Sequence, residues 1–131
     1  MRAVEKLIPE AIIAITSSGM AVHGEVNKAY KGYISSLGAG IIQSGLLPTL
    51  AMYKGNEDSD KKKANTACLL KAIFEVIKSK PTTIVRPKDD LFDYALRVSQ
   101  ELNKRQFVIN EIMNASIAVK LAIRTFKLVE P

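Results

Sequence analysis

The sequence predicts an all-α protein, folded as a single compact bundle of about five to six helices in one domain over residues 1–131. Apolar residues recur at spacings of three and four in several long segments, which is the period of an amphipathic helix. No segment shows the period-two alternation typical of strands, because the apolar run at 83–85 is too short to count. With 131 residues, 47% of them hydrophobic, the chain can bury a core of its own.

The first two helices are predicted from apolar stripes that end in turn residues. The first helix either begins near Pro9 or kinks there, since proline lacks the amide that an interior turn needs. Its apolar stripe consists of Val4, Leu7, Ile8, Ala11, Ile12 and Ile15. The second helix is expected from Glu25 to Ser44, with His23 exposed near its start. Its glycines predict the close approach of another backbone, and its polar face consists of Lys28, Lys31 and Ser35.

A corner between two helices is the most distinctive feature of the chain. Gly45 follows the second helix and suits the left-handed conformation that often ends a helix. Pro48 is tolerated in the first turn of a short third helix, which is expected to end near Lys54. No residue at this corner can do acid–base or metal chemistry, so we interpret it as a packing device.

Three further helices are predicted in the second half of the chain. The first, capped by Ser59 or Asp60, is apolar nearly all round and should be the central buried helix. The next begins with Asp89 or Asp90 as its cap, and residues 99–103 fit either a break or a continuous helix. The last helix carries a seam typical of bundles, formed by Ile109, Ile112, Ser116, Val119, Ile123 and Phe126.

The charge of the chain favours an acidic partner. Lys and Arg number 19 against 13 Asp and Glu, a formal net charge of +6. Nucleic acid is the commonest partner of such a surplus, although a solvated lysine-rich surface fits it too. Cys68 is the only cysteine, which excludes an intrachain disulfide and fits a reducing cytosol. The apolar stretch 37–52 is too short and too interrupted to span a bilayer. We therefore expect a cytoplasmic protein without membrane contact.

The motifs for catalysis or cofactor binding are incomplete. Gly19 and Gly24 have the spacing of a phosphate-binding loop, but the lysine that must follow is missing. Cys68 lies in the most apolar helix, where a buried, inert thiol is expected. Asp89 and Asp93 could together hold a metal, but negative charge at a helix N-terminus also explains them. We predict no catalytic residue, no cofactor and no metal, and interpret the chain as a non-enzyme.

The basic residues are the candidates for contact with an RNA backbone. Lysine and arginine bind phosphates without reading the base sequence. Lys120, Arg124 and Lys127 are expected to align on the outer face of the last helix. Taken singly, each basic cluster also fits an ordinary solvated surface. The candidate RNA-backbone contacts are Lys61, Lys62, Lys104, Arg105, Lys120, Arg124 and Lys127.

The segment around the corner resembles a known family. Tyr33, Leu37 and Ile41 are followed by the run Ser44-Gly45-Leu46-Leu47-Pro48-Thr49-Leu50-Ala51-Met52-Tyr53-Lys54. This order of an aromatic and aliphatic helix, Gly-Leu-Leu, Thr-Leu-Ala, an aromatic residue and Lys is similar to the small all-helical subunit of the type III-B CRISPR effector, the Cmr complex. The end of the last helix, residues 123–127, is a weaker match. Pro48 and the absence of tryptophan depart from the family pattern.

The resemblance implies a structural role in antiviral defence. Such subunits stack in several copies along larger RNA-binding subunits and frame the channel that holds guide and target RNA, while other subunits cleave. The implied partners are therefore the other Cmr subunits, copies of this chain, and RNA bound through its backbone.

Two alternatives stay open. A helical adaptor that contacts only proteins would use exposed apolar residues such as Met52 and Tyr53. A small helical enzyme would use a metal held by Asp89 and Asp93. Failure to bind any RNA would favour the adaptor, and an ordered metal with activity lost in Asp93→Ala would favour the enzyme.

Overall fold

Helices dominate the structure. The computed structural model describes residues 2–55, 65–81 and 83–130. Within them, six α-helices are formed by Arg2–Ser17 (α1), Ala29–Ser44 (α2), Leu46–Lys54 (α3), Thr66–Lys78 (α4), Leu91–Ser99 (α5) and Arg105–Ala122 (α6). A single 3₁₀ turn, Ile123–Thr125, continues α6. The strands Ala21–Val22 (β1), Glu25–Asn27 (β2) and Lys127–Val129 (β3) form one small sheet. The predicted helical bundle is confirmed.

The core lies where α6 crosses α1 and α4. These helices pack directly against one another, and α2, α3 and α5 close the sides of the bundle. The buried positions recur every three or four residues, as the sequence pattern predicted. The fully buried large side chains of α4 and α6 are Leu69, Ile73, Val76, Ile77 and Ile112. The prediction that α4 is the central buried helix is confirmed.

The first helix runs through its proline. α1 begins at Arg2 and continues past Pro9, which lies on the exposed side. It therefore does not begin near Pro9. Packing of the apolar face of α1 against α6 and α4 offsets the hydrogen bond that proline cannot donate.

The small sheet corrects the prediction of a purely helical chain. Residues Glu25–Asn27, which were expected to start the second helix, form β2 instead, and α2 begins at Ala29. β1 and β2 pair antiparallel around a turn at His23 and Gly24, both with positive φ. His23 is exposed, as expected, but in this turn and not at a helix start. β2 pairs in parallel with β3 from the other end of the chain, and strands of two or three residues leave no period-two pattern to read.

The predicted corner at Gly45 is confirmed. α2 ends at Ser44 and α3 begins at Leu46, so Gly45 alone makes the turn, with φ at +99°. The Thr49 hydroxyl donates a hydrogen bond to the Gly45 carbonyl at 2.8 Å. A Cβ atom added at Gly40 would lie only 3.0 Å from Thr49 Cγ2. Glycine at this position therefore allows α2 and α3 to approach closely, as expected from the sequence.

Side-chain caps begin α4 and α5. Asn65 accepts hydrogen bonds from the amides of the first turn of α4, whereas the predicted caps Ser59 and Asp60 lie outside the described residues. Asp90 caps α5 in a reciprocal capping box with Asp93, so Asp90 is confirmed as one of the two predicted caps. The chain leaves helical geometry after Ser99 and re-enters it at Arg105, which decides in favour of the break.

Candidate functional site

The predicted RNA contacts fall at opposite ends of α6. Lys104 and Arg105 stand at its beginning, whereas Lys120 lies in its last turn and Arg124 in the 3₁₀ turn that follows. The 18 residues of α6 separate these groups by about 27 Å, at a rise of about 1.5 Å per residue. Lys61 and Lys62 lie outside the described residues. The structure therefore divides the described candidates into two groups, with Lys127 in the second.

At the far end, α6 meets the polar face of α2. The Lys120 ammonium donates a hydrogen bond to the Ser35 hydroxyl at 3.2 Å. Nearer the middle, a side chain added at Gly38 would lie 3.6 Å from Met113 Cε. These two contacts show that the helices run antiparallel. Because the helices are antiparallel, one turn back from Ser35 on α2 corresponds to one turn forward from Lys120. Lys31, four residues before Ser35, therefore lies toward the same end as Arg124. We call Lys31, Ser35, Lys120 and Arg124 the α2–α6 basic face.

Lys127 is not part of a helical stripe. It was expected to align with Lys120 and Arg124, but α6 ends at Ala122 and Lys127 lies in β3. Its exposed ammonium pairs with Glu25 across the sheet at 3.6 Å. A similar exposed pair joins Lys28 and Glu130 at 3.4 Å. Exposed pairs are worth at most about 1 kcal/mol, so they leave both lysines available to another anion.

Lys31 was missed among the candidate contacts. The sequence did place it on the polar face of the second helix, together with Lys28 and Ser35. Helical spacing shows which residues share one helix face, but it does not show which other helix lies beside that face. The tertiary contact between Ser35 and Lys120 joins this face to the end of α6.

The first end of α6 borders a groove with both apolar and charged walls. The groove has a volume of about 200 Å³. The Lys104 ammonium lies 5.1 Å from the ring centre of Phe107, within cation–π range. We call this cavity the α5–α6 groove; its lining residues are Thr83, Ile84, Tyr94, Arg97, Val98, Glu101, Lys104, Phe107 and Glu111.

A buried hydrogen bond forms the floor of the α5–α6 groove. The Tyr94 hydroxyl donates to Glu111 Oε1 at 2.5 Å, and both side chains are buried. Burial, followed by the neighbouring Glu111 carboxylate, raises the pKa of Tyr94 above its ordinary value. The Arg97 guanidinium stacks over the Tyr94 ring at 5.7 Å and pairs with Asp89 at 2.6 Å. These contacts fix α5 against α6.

The aspartates near α5 are engaged in structural contacts. Burial opposes ionisation of Asp89, but hydrogen bonds from Arg97 and from the Arg86 amide outweigh it, so the pKa of Asp89 lies below its usual value. Asp93 is committed to the capping box with Asp90. In the described part of the chain, no three His, Cys, Asp or Glu residues cluster in a way that could hold a metal ion.

Cys68 and Tyr53 differ from expectation in their burial, whereas Met52 does not. Cys68 is half-buried, although a buried thiol was expected. Met52 is 75% exposed and could contact a partner. Tyr53, the other proposed contact of an adaptor, is half-buried, and its hydroxyl donates to the Tyr33 carbonyl at 2.8 Å. Tyr53 therefore ties α3 to α2.

The last helix is apolar enough to resemble a membrane span. The stretch Arg105–Thr125 passes a test of length and composition, with a mean hydropathy of 1.2. Half of the 18-residue window that gives this hydropathy is buried inside the protein, where α6 packs against α1 and α4. A helix buried in a protein core meets the same criteria, and α6 lies in the core of the bundle.

Comparison with protein families decides the relationship. A family described as CRISPR-associated protein (Cas_Cmr5) matches residues 9–120. This chain belongs to that family. The match begins within α1, includes the Gly45 corner and ends at Lys120 in the last turn of α6. The resemblance found at the corner is therefore confirmed, and the chain is a CRISPR-associated subunit of a Cmr complex. No curated protein and no solved structure matches the chain.

Proposed function

We propose that this chain is a non-catalytic structural subunit of a type III-B Cmr ribonucleoprotein. In this role it stacks with copies of itself and with larger subunits along the effector, in the cytoplasm, and helps to hold guide and target RNA in antiviral defence. Family membership supports the place in the complex. The net charge of +6 supports contact with nucleic acid.

The observation that carries the RNA proposal is the α2–α6 basic face. Lys120 and Ser35 join two helices that each bring cations to one surface. Within the described residues, Lys31, Lys120 and Arg124 form no ion pair, so their charge is not neutralised internally. Such cations attract phosphates strongly at low salt and without sequence preference.

The distribution of aromatic residues fits backbone contact better than base recognition. Phe107, whose side chain is half exposed, lies at the opposite end of α6 from the basic face. Single-strand binders that stack bases use exposed aromatic side chains beside their cations. We therefore assign the basic face to phosphates.

A non-catalytic role agrees with how the acidic residues are used. Asp89 pairs with Arg97, and Asp90 and Asp93 cap α5. Each of these carboxylates thus has a structural partner that explains its position. RNA cleavage by other subunits, as the family resemblance implies, requires no acid or base from this chain.

A charge-reversal experiment tests the assignment. The complex is reconstituted with Lys120→Glu and Arg124→Glu together, and target RNA binding is measured over a range of salt concentrations. The matched control reverses the exposed residues Lys6 and Lys71, which gives the same net charge. Loss of two phosphate contacts should lower the slope of log affinity against log salt by about 1.5. Equal binding by the variant and the unmodified complex at low salt would contradict the assignment.

A protein-only adaptor is the second candidate, because apolar side chains are exposed beside the corner. Met52 is 75% exposed on α3, and Ile42 is also exposed on α2. The adaptor function would replace the RNA-holding function on two results together. The Lys120→Glu, Arg124→Glu variant would have to bind RNA as the unmodified complex does, and Met52→Glu would have to prevent assembly.

A further inference from the structure

An exposed glycine of α2 has no packing role among the described residues. Gly32 is exposed, and no atom of the described residues lies within 4 Å of the point where its side chain would begin. Gly40 on the same helix differs, because its missing side chain makes room for Thr49. Glycine is among the least favourable residues within a helix. Gly32 therefore lowers helix stability and leaves room for a group from outside the chain to approach α2.

Gly32 lies beside the α2–α6 basic face. At about 3.6 residues per turn, Lys28, Gly32 and Ser35 lie within about 60° of one another around the axis of α2. Lys28 already has helical backbone angles and Lys31 directly precedes Gly32, so two lysines flank the glycine. The hydrogen bond from Lys120 to Ser35 brings the end of α6 to the same side. The open space at Gly32 is therefore bordered by cations from two helices.

Cations outnumber carboxylates in the segments that form this surface. Residues 23–41 and 118–130 together contain five lysines and arginines but two glutamates. None of the exposed large apolar side chains among the described residues lies in either segment. Such a surface suits a phosphate backbone better than another protein, since protein interfaces bury apolar side chains at their centre. The five cations are Lys28, Lys31, Lys120, Arg124 and Lys127.

Lys28 is the flanking lysine that a carboxylate already holds. Its ammonium lies 3.4 Å from Glu130 Oε1. The Lys28 amide donates a hydrogen bond to the Val129 carbonyl at 2.8 Å, so the start of α2 and the end of β3 are fixed side by side. The Lys28 side chain is 57% exposed and the Glu130 side chain 77% exposed. An ion pair this exposed is weak in water, so a phosphate can replace the carboxylate.

We infer that a phosphate of bound RNA is seated against Gly32, within reach of Lys28 and Lys31, and that Lys28 exchanges Glu130 for this phosphate. Gly32 leaves the room that the RNA backbone needs to approach α2. Glu130 is an internal competitor that lowers the affinity for RNA. The inference rests on the proposed RNA-holding function and adds to it the point of closest approach and the carboxylate that limits affinity.

Substitution of Gly32 separates RNA binding from stability. Gly32→Leu should raise the thermal unfolding midpoint of the chain by about 2–5 °C, because leucine favours a helix more than glycine does. In the complex reconstituted with guide RNA, the same variant should bind target RNA roughly tenfold more weakly, since the added side chain holds the phosphate away from both lysines. The matched control Ala51→Leu adds the same kind of side chain at an exposed residue of α3 and should bind RNA normally.

Three results of the Gly32 experiment would overturn the inference. RNA binding by Gly32→Leu equal to that of the control would leave the open space without a role in binding. A lowered unfolding midpoint would assign Gly32 a structural role within the chain. Reduced incorporation of Gly32→Leu into the complex would place a protein subunit, and not RNA, against this part of α2.

Removal of the competing carboxylate should have the opposite effect. Glu130→Gln releases Lys28 and should raise the affinity for target RNA by up to about fivefold at low salt, which corresponds to the strength of an exposed ion pair. The gain should shrink as salt rises, because salt screens the pair in the original chain. Glu75→Gln is the matched control, since it removes the same charge and releases Lys78 from a pair at 2.8 Å beside α5. Equal RNA affinities of the two glutamine variants would contradict the exchange.

Charge reversal at the end of α6 separates this inference from the proposed function. Lys120→Glu combined with Arg124→Glu tests whether the α2–α6 basic face binds RNA at all. If that variant loses RNA binding while Gly32→Leu and Glu130→Gln bind as the unmodified complex does, the RNA proposal stands and the inference alone is overturned. If all three variants bind normally, both are overturned.

Discussion

The two ends of α6 both carry basic side chains, but the surfaces around those side chains differ. At the first end, Lys104 lines a groove with both apolar and charged walls, and Arg105 follows it in the chain. At the far end, Lys120 and Arg124 join the polar face of α2. None of these four cations is paired within the described residues. The surrounding surface, and not the charge, therefore distinguishes the two ends.

The two ends also differ in what holds them to the bundle. Side chains hold the first end, through the Tyr94–Glu111 hydrogen bond and the Arg97–Asp89 pair. Backbone hydrogen bonds hold the far end, because β3 follows α6 and pairs with β2. Single substitutions should therefore disturb the first end more than the far end.

The largest expected loss of stability comes from a buried residue in the middle of α6, between the two ends. Ile112 is fully buried in α6, between the two ends. Ile112→Ala should lower the free energy of unfolding by about 2–5 kcal/mol, because it removes buried methyl groups and leaves a cavity. Chemical denaturation measures this loss, with the more exposed Ile117→Ala as the control on the same helix. A loss below about 1 kcal/mol would show that the core at this point can collapse.

The next largest effect should be confined to the first end. Tyr94→Phe leaves the buried Glu111 carboxylate without its donor and should cost about 1–3 kcal/mol of unfolding free energy. Tyr33→Phe is the matched control, since Tyr33 is half-buried and donates no hydrogen bond recorded in the described residues. RNA binding by the assembled complex should stay unchanged in Tyr94→Phe. If both tyrosine variants were equally stable, the hydrogen bond would contribute nothing to holding this end.

The same tyrosine predicts a dependence on alkaline pH. The pKa of Tyr94 is raised in the folded chain by burial and by Glu111, whereas an unfolded tyrosine titrates near its ordinary value of 10.0. The stabilisation is therefore complete below pH 10 and is lost as the pH rises toward the folded pKa. The unfolding free energy should fall less steeply above pH 10 in Tyr94→Phe than in the original chain. Tyr30, whose pKa burial raises to about 12, accounts for part of the remaining slope.

A smaller effect is expected at the start of α5, which forms one wall of the groove. Asp90→Ala removes the cap of α5 and the ion pair with Lys54 at 2.9 Å, at a cost of about 0.5–2 kcal/mol. Burial opposes ionisation of Asp90, but the Asp93 amide and Lys54 outweigh it, so the pKa of Asp90 is lowered. The difference between variant and original chain should therefore shrink as the pH falls below 3.8. Asp90→Asn, which keeps a capping side chain, should be closer to the original chain at neutral pH.

Most of the helical fold could be predicted from local pattern. The three–four spacing of apolar residues located the helices, and Gly45 located the corner, because each signal lies within a few residues. The cap of α5 could be read in the same way, and of the two candidates Asp89 and Asp90 the structure uses Asp90. The sheet could not be predicted, since β2 and β3 pair Glu25 with Lys127 across almost the whole chain.

The candidate sites were less accessible to prediction than the helices. Helical spacing extended the stripe of Lys120 and Arg124 to Lys127, because nothing local marks the change from helix to strand after Ala122. Lys31 is assigned to the basic face because Ser35, one turn later on α2, contacts Lys120 on α6, and no spacing within either helix reveals that contact. The groove depends on how α5 packs against α6. That packing follows from the break between the two helices, and the sequence pattern of residues 99–103 fitted either a break or a continuous helix. Surface sites thus depend on tertiary neighbours, while helices depend on their own residues.

The smallest effect gives the sharpest comparison of the two ends. Arg105 and Arg124 are the same residue type, both exposed and both without an ion pair in the described residues, at opposite ends of α6. Arg124→Gln should remove one phosphate contact and lower the salt slope of RNA binding by about 0.7–0.9. Arg105→Gln should leave that slope unchanged. Equal slopes for the two variants would mean that position on α6 does not decide what each arginine binds.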